Sequence, residues 1–142
     1  MTLKLRNPKK LTFVWAGLTI EGFADESFVE ISREADAFTD SVGATGDVTR
    51  EQTNDDRATV TLRLTDTHPD NGALTAVHAA DKLEGGGAGV APLYIKDELG
   101  HDLHTAKECW IARGPDPKYS KTSGTNEWKF RCAHLVSISG GS

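Results

Sequence analysis

The amino-acid sequence predicts a mainly β domain: a β-barrel or tight β-sandwich with one flanking α-helix and a long polar hairpin or loop. Most of the chain alternates between apolar and polar side chains, which is the period of a strand with one dry face. Only one segment repeats its apolar residues with the spacing of an amphipathic helix. A single short helix among many strands is typical of a lid packed against a barrel or sandwich.

Length and composition indicate one domain, residues 1–142. A chain of 142 residues can form one core and is too short for two domains. Charged residues make up 26% and apolar residues 37%, as in folded soluble proteins. The uncharged apolar runs are far shorter than the roughly 20 residues that span a bilayer, and the basic N-terminus lacks the apolar stretch of a secretory signal. We therefore expect a domain that is made and folded in a cytoplasm.

Three segments in the first half are predicted to be strands. Residues 11–20 are rich in β-branched and aromatic types, with Gly17 as a turn or bulge. Residues 28–34 and 57–65 alternate more regularly. Their apolar positions are Val29, Ile31, Val60, Leu62 and Leu64, and their polar positions are Glu30, Ser32, Thr59, Thr61 and Arg63. This pattern predicts a sheet that is dry on one side and wet on the other.

The polar segment between these two strands, residues 35–56, holds six acidic residues, two glycines and several threonines. Residues 47–52 are expected to extend the second of the two strands outward. A polar segment of this length is uncommon as a mere connector. It is either a solvated hairpin tip or an arm that reaches a neighbouring subunit. Phe38 and Val42 favour the arm, because an apolar pair on a polar tip requires a covering surface.

The one predicted helix covers residues 67–82. Thr67 is expected to cap it, Pro69 fits the first turn, and Asp70 is placed to reach back as in a capping box. Three glycines at 85–87 end the element in a loop. The apolar stripe consists of Ala73, Leu74, Val77 and Ala80.

The last half of the chain returns to strands. They are expected at residues 90–96, 103–113 and 127–138, with a hairpin turn at 100–102 and a longer loop at 114–125. Alternation assigns four aromatic residues to the core: Trp15, Trp110, Trp128 and Phe130. A base-stacking surface is disfavoured, because these rings are not interleaved with Lys and Arg.

The two cysteines lie on the last two predicted strands. A register that pairs Ile111 with Phe130 places Cys109 directly opposite Cys132. Directly opposed residues of an antiparallel pair are within reach of a disulfide, often a strained one. The alternative is a pair of reduced, packed thiols, which is usual for a protein made in a reducing cytoplasm.

No constellation predicts catalysis, a metal or a cofactor. His101 and His104 are expected on a turn and a strand, facing opposite ways, without the acidic or Cys partners of a zinc site. The glycine-rich residues 85–89 lack the Lys and Ser/Thr of a P-loop. Residues 54–56 lack the spaced ligands of an EF-hand loop. The prediction is therefore no enzyme activity, no catalytic residue, no metal site and no cofactor.

The formal net charge of −5 argues against a protein that reads DNA sequence, since such proteins present a basic surface to the phosphates. It is compatible with a channel for DNA, in which a mildly acidic wall would keep the polymer centred and mobile. The alternative is that the charge serves solubility alone.

Residues 22–64, GFADESFVEISREADAFTDSVGATGDVTREQTNDDRATVTLRL, resemble the tail tube proteins of contractile-tailed bacteriophages. The segments THPDNGALTAVHAAD, APLYIKDELGHDLHTAKECWIARGPDP and NEWKFRCAHLVSISGGS follow in the order and spacing of that family, so the resemblance covers roughly residues 8–141. It implies a structural subunit of the virion tail, assembled in the host bacterial cytoplasm. Such subunits form hexameric rings that stack into the inner conduit for DNA inside a contractile sheath.

The resemblance also implies partners. They are further copies of the chain, the tail sheath protein, baseplate and tail terminator proteins, the tape measure protein in the lumen before ejection, and double-stranded DNA that passes without sequence-specific binding. Similar tubes occur in type VI secretion and in tailocins, so the inner tube of a contractile injection system is one alternative. A small cytoplasmic β-barrel binding module is the other.

Roles carry over from the family by position. Residues 35–47 match its long loop, which predicts ring-to-ring contacts at Phe38, Asp40, Val42 and Asp47. The polar strand positions Glu30, Ser32, Thr59, Thr61 and Arg63 are the candidates for the lumen wall. Arg63 is a misfit for an acidic wall, so an adjacent subunit is the alternative place for it. Cys109 and Cys132 depart from the small or hydroxylated residues more usual in the family.

Overall fold

The computed structural model describes residues 11–24, 28–98, 102–116, 119, 121–122 and 124–139. The strands are β1 (Leu11–Trp15), β2 (Leu18–Thr19), β3 (Val29–Arg33), β4 (Phe38–Val42), β5 (Val48–Gln52), β6 (Ala58–Thr65), β7 (Ala91–Asp97), β8 (Leu103–Arg113), β9 (Thr125–Cys132) and β10 (Leu135–Ile138). The helix α1 spans Asp70–Glu84. The prediction of a mainly β fold with one helix and a long polar hairpin is confirmed.

One antiparallel sheet holds all strands except β4 and β5, in the order β2-β1-β7-β8-β9-β6-β3. Strand β10 continues β9 along β8 in the same register, after an irregular step at 133–134. Beyond β2 the chain crosses to the other end of the sheet, where Phe23 bridges to Leu64 and the Ala24 amide donates to the Arg63 carbonyl. Among the described residues no ladder joins β2 to β3, so the sheet curls without closing as a barrel.

Alternation in the central strand β6 places its apolar residues in the core. Ala58, Val60, Leu62 and Leu64 are buried, and the residues between them are half-buried on the other face. The predicted core residues Trp15, Trp128 and Phe130 are also buried. The Trp15 and Phe130 rings pack edge to face with centroids 5.0 Å apart, and the Trp15 indole N–H donates to the Cys109 carbonyl at 2.9 Å.

The prediction was wrong for Trp110. The residue is half-buried on the face of the sheet opposite the core, because its neighbours Cys109 and Ile111 point inward. Its cross-strand partner on that face is Arg131.

Two further expectations need correction. Residues 47–52 contain a strand, β5, but it pairs with β4 in a separate two-stranded sheet and does not extend β6. Residues 127–138 are two strands, because the chain bends at 133–134.

In the predicted turn at 100–102, Gly100 and His101 lie outside the described residues. The turn predicted at Gly17 is confirmed: a tight turn joins β1 and β2, with Gly17 at φ +77°.

The helix starts later than predicted. It begins at Asp70, with Pro69 as the N-cap residue and no side-chain cap, so Thr67 does not cap it. The Asp70 carboxylate does not form the predicted capping-box bond to the start of the helix. It instead accepts hydrogen bonds from the amides of Glu21 and Gly22, at 2.8 and 3.1 Å. These bonds fasten the helix start to the crossing segment after β2. Of the predicted stripe, only Leu74 is fully buried.

Asn71 fastens the first turn of the helix to the sheet. Its amide group donates to the carbonyls of Thr65 and His68, at 2.9 and 3.0 Å. Its oxygen accepts from the Asn126 amide and from the Trp128 indole N–H, both at 3.0 Å. One side chain thereby satisfies polar groups from the end of β6, the turn before the helix, and β9.

We predict that Asn71→Ala destabilises the domain by about 1–3 kcal/mol, because it leaves the Trp128 indole N–H without an acceptor inside the protein. For a domain of this size that corresponds to a fall in melting temperature of about 2–4 °C per kcal/mol. Thermal unfolding followed by circular dichroism measures it, with the exposed Asn54→Ala as the matched control. Equal melting temperatures for the two variants would contradict this role of Asn71.

Candidate assembly surfaces

The five residues predicted to line a lumen lie on one face of the sheet. Glu30 pairs directly with Thr61, and Ser32 pairs with Thr59, across β3 and β6. Arg63 continues the same face of β6, since it follows Thr61 by one strand period. The sheet thus brings together residues from distant parts of the sequence. We call this surface, completed by Glu34, Glu127, Lys129 and Arg131, the polar face.

Arg63 is held between two carboxylates. Its guanidinium lies 3.0 Å from a Glu30 oxygen and 3.3 Å from a Glu127 oxygen on the next strand. The hydrogen bond to Glu30 raises the pKa of the guanidinium further above its ordinary value. Arg63 is a misfit for an acidic wall on its charge alone, but in the sheet the two carboxylates compensate that charge.

A second set of contacts on the polar face surrounds Glu34. Its carboxylate accepts a hydrogen bond from the Thr59 hydroxyl at 2.6 Å and lies 3.8 Å from the Arg131 guanidinium. The carboxylates Glu30, Glu34 and Glu127 therefore stand beside the cations Arg63, Lys129 and Arg131. The expected mild acidity is absent from these six residues, which balance in charge.

The hairpin formed by β4 and β5 projects from the domain. All ten residues of its two strands are exposed. Phe38, Asp40 and Val42, three of the predicted contact residues, share one face of it, and Val42 stands directly opposite Val48. Val42 is 68% exposed and Val48 65% exposed. Sequence analysis missed Val48, although an apolar residue flanking the turn on the far side from Val42 is a usable signal.

Phe38 is partly covered within its own chain. The Arg50 guanidinium carbon lies 3.8 Å from the centroid of the Phe38 ring, a cation–π arrangement across the two strands. The Val42–Val48 pair is therefore the most exposed apolar part of this face.

Asp47 lies in the turn between the two strands. Its carboxylate accepts a hydrogen bond from the Thr45 hydroxyl at 3.1 Å, and its carbonyl accepts one from the Gly43 amide at 2.8 Å. Gly46 supplies the positive φ, +88°, that the turn requires. The side chain of Asp47 thus stabilises the shape of the turn, and a contact with another subunit stays a prediction.

The root of the hairpin is fixed by charged side chains. Asp55 accepts hydrogen bonds from both the amide and the guanidinium of Arg57, and these lower the pKa of the Asp55 carboxyl to about 2. Arg33 donates to the carbonyls of Asp56 and Leu135, at 3.2 and 2.7 Å. Arg33, the last residue of β3, therefore ties the segment that follows β5 to β3 and β10.

Cys109 and Cys132 are directly opposed, in the register predicted from the sequence. Both are buried free thiols, and their sulfur atoms lie 3.4 Å apart. The hydrogen bond between them and their burial raise the pKa of the Cys109 thiol. A protonated, buried thiol is a poor nucleophile.

The described residues contain no group of three or more His, Cys, Asp and Glu side chains placed to hold a metal ion. His104, one of the two histidines that the sequence analysis rejected as zinc ligands, hydrogen-bonds Ser137 at 2.8 Å, and burial lowers its pKa. The helix of the described chain lacks the length and the apolar character needed to cross a bilayer.

Comparisons with known proteins give one phage family. The sequence model of the family described as bacteriophage PhiTE tail tube protein matches residues 17–140. The chain is 31% identical over 123 residues to structural protein ORF10 of Pseudomonas phage KPP10, a match that covers 87% of this chain and 71% of that protein.

Solved structures share the fold at much lower identity. The tube-terminating cap of the anti-feeding prophage superposes with a TM-score of 0.67 at 10% identity, covering 99% of this chain and 95% of the other. A chain of the PVC extracellular contractile injection system, in its sheath-tube complex, gives 0.63 at 11%, covering 95% and 92%. A chain of the gene transfer agent virion gives 0.60 at 13%, covering 95% and 100%.

The pKa of Asp55 yields a prediction about pH. Because it is lower in the folded chain, near 2, than the ordinary value of about 3.9, the ion pair contributes above pH 4 and is lost as the pH falls towards 2. We expect an NMR titration of the Asp55 carboxyl to have its midpoint near 2, and Arg57→Gln to return it towards the ordinary value. Arg57→Lys, which keeps the charge without the forked donor, serves as the control and should lie between. An unchanged midpoint in Arg57→Gln would refute the assignment.

The thiol pair yields a second prediction. Protein purified without reductant should contain two free thiols that maleimide labels slowly in the native state and rapidly after denaturation, because both are buried. Intact-mass spectrometry counts the labels. Absence of labelling after denaturation, with a mass two hydrogens lower, would show instead that the pair is oxidised.

Proposed function

This chain belongs to the bacteriophage PhiTE tail tube protein family, and we propose that it forms hexameric rings that stack into the inner conduit of a contractile phage tail. Family membership makes it a structural subunit of the virion. The conduit carries double-stranded DNA without reading its sequence. As a component of that conduit, the subunit has no catalytic activity of its own.

The observation that supports stacking is the hairpin. Isolated two-stranded hairpins are marginally stable in water, yet every residue of β4 and β5 is exposed. A hairpin fixed firmly at its root and uncovered along its length is built to be covered by another subunit. Phe38, Asp40, Val42 and Asp47 are the residues of the ring-to-ring contact in this proposal.

The polar face fits the lumen. Proteins that grip DNA do so with cations that displace counterions from its phosphates. On this face Arg63 and Arg131 are already beside carboxylates, so their attraction for phosphate is weakened. Hydroxyl groups from Ser32, Thr59 and Thr61 make the rest of the surface hydrophilic. We assign Glu30 and Arg63 with these three to the wall along which DNA slides.

The proposed partners follow from the same role. The outside of the tube contacts a tail sheath protein, the ends of the tube contact baseplate and tail terminator proteins, and the lumen holds a tape measure protein before ejection. Support for the sheath and terminator contacts comes from the related fold of a PVC sheath-tube complex chain and of a PVC sheath/tube terminator, the latter with a TM-score of 0.66 at 11% identity.

Among the alternatives, an injection-system tube would share the fold and the stacking. The phage family match over residues 17–140 favours a phage tail. A monomeric binding module would leave the hairpin uncovered.

We predict that replacing residues 36–54 with a short Gly-Ser linker abolishes stacking, because it removes both strands of the hairpin and leaves the large sheet intact. Negative-stain microscopy over a wide concentration range, with circular dichroism to verify folding, is the measurement. Leu83→Gln is the matched control, since Leu83 is an exposed apolar residue on the helix.

The unaltered chain and Leu83→Gln should both form hollow tubes. A folded hairpin-less variant that still forms tubes would contradict the arm. A native chain that stays monomeric at every concentration would contradict the tube itself.

A further inference from the structure

An apolar groove lies on the side of the large sheet away from the core, over β7, β8 and β10. It has a volume of about 630 Å³ and is lined mainly by apolar atoms. Pro92, Tyr94 and Val136 contribute to its wall, with Lys107 and His134 also lining it. Its volume is within the range of pockets that enclose a small ligand.

Two irregularities in the sheet produce the groove. The pairing of β7 with β8 shifts between Ala91 and Leu93, so that 107–108 bulge out of the ladder. On the other side of β8, the chain bends at 133–134 before β10 resumes pairing. Bulges of this kind bend a strand and increase its local twist.

The surface around the groove differs from the polar face on the same side of the sheet. Tyr94, Thr105 and Val136 form one cross-strand row. Val136 is 47% exposed and Ile138 57% exposed. The outer side of one sheet is thus divided into a charged half on β9, β6 and β3 and a largely apolar half on β7, β8 and β10, whose charged residues include Lys96, Lys107 and Glu108. Such a contiguous apolar patch marks an interaction surface.

We propose that this groove receives the Val42–Val48 end of the hairpin from a second copy of the chain, an inference that rests on the tube proposed above. The two surfaces match in chemistry. The hairpin presents a branched apolar pair beside Asp40 and Arg50, which are directly opposed on the same face. The groove presents apolar atoms beside Lys107 and Glu108. Each side offers one acid and one base next to an apolar centre, so the charges can pair while the apolar groups are buried.

The geometry points to another copy and not to the same chain. The root of the hairpin lies beside the groove, since Asp56 is 3.0 Å from the groove residue His134. Each hairpin strand is five residues, or about 17 Å, long, and the tip residues Val42 and Val48 are 68% and 65% exposed. The tip of one chain therefore does not pack into its own groove and is free to enter that of another copy.

This contact joins two different surfaces, so it is heterologous. A self-complementary contact stops at a dimer, whereas a heterologous contact repeated by every copy either closes into a ring or, where its rotation does not close, continues as an open stack. Between successive rings the contact is of the second, open kind. Rings joined in this way would add one after another along a single axis. The groove is thus the receiving half of the ring-to-ring contact for which the hairpin is the other half.

Cross-linking tests the proposal. One preparation carries Val42→Cys and a second carries Val136→Cys; both positions are exposed, so the fold is retained. The two are mixed, assembled under conditions in which microscopy shows tubes, and treated with a short bismaleimide. The unsubstituted chain controls for the buried native thiols. In the matched control, the Val42→Cys preparation is mixed with Ser32→Cys, on the polar face, in place of Val136→Cys.

A pair of introduced opposite charges provides a second readout. Val42→Asp and Val136→Lys should each raise the critical concentration for tube formation about tenfold, equivalent to about 1.4 kcal/mol, because each places a charge in an apolar contact. The chain carrying both substitutions should return to within about threefold of the unsubstituted chain, since the two charges then face each other.

A cross-linked pair between positions 42 and 136, absent between 42 and 32, together with recovery in the double variant, is the expected result. Tubes in which position 42 links to position 32, or to neither, would overturn the groove as the receiving surface while the tube itself stands. Absence of tubes from the unsubstituted chain would overturn the proposed function, and this inference with it.

Discussion

The side-chain alternation of β6 is the constraint on which the rest of the structure depends. This strand lies between β3 and β9, and its apolar residues Ala58, Val60, Leu62 and Leu64 all point into the core. A slip of one residue would expose all four and bury the polar residues between them, so the register is strongly specified. The alternation that places the apolar side chains in the core also places the polar side chains on the opposite face of the sheet. The polar face is therefore a direct consequence of how the core is formed.

Much of the fold could be predicted, because short-range periodicity determines it. The alternation of β6, the turn at Gly17 and the opposition of Cys109 and Cys132 all follow from strand geometry. The start of the helix could not be predicted. Thr67 has the sequence signature of a cap, but Asp70 bonds the amides of a segment nearly 50 residues away, and no local pattern encodes that contact.

For the assembly surfaces, the sequence indicated which residues are polar or exposed but not what they contact. Phe38 and Val42 were recognisable as apolar residues on a polar segment, whereas pairing across strands was needed to reveal Val48. Arg63 looked misplaced until the sheet set it between carboxylates from two other strands. The groove was beyond sequence analysis, because it arises where two irregularities meet on either side of β8. Alternation identifies regular positions, and a binding surface often lies where the regularity fails.

The division of one sheet into a charged half and an apolar half leads to the central claim, that the charged half faces the lumen. A cryo-EM reconstruction of tubes assembled from the unaltered chain tests it most directly. Our account predicts rings of six copies in which Glu30, Thr61 and Arg63 face the open channel and the hairpin enters the ring beyond. A map in which this face lies on the outside of the tube, or is buried between subunits of one ring, would contradict the account.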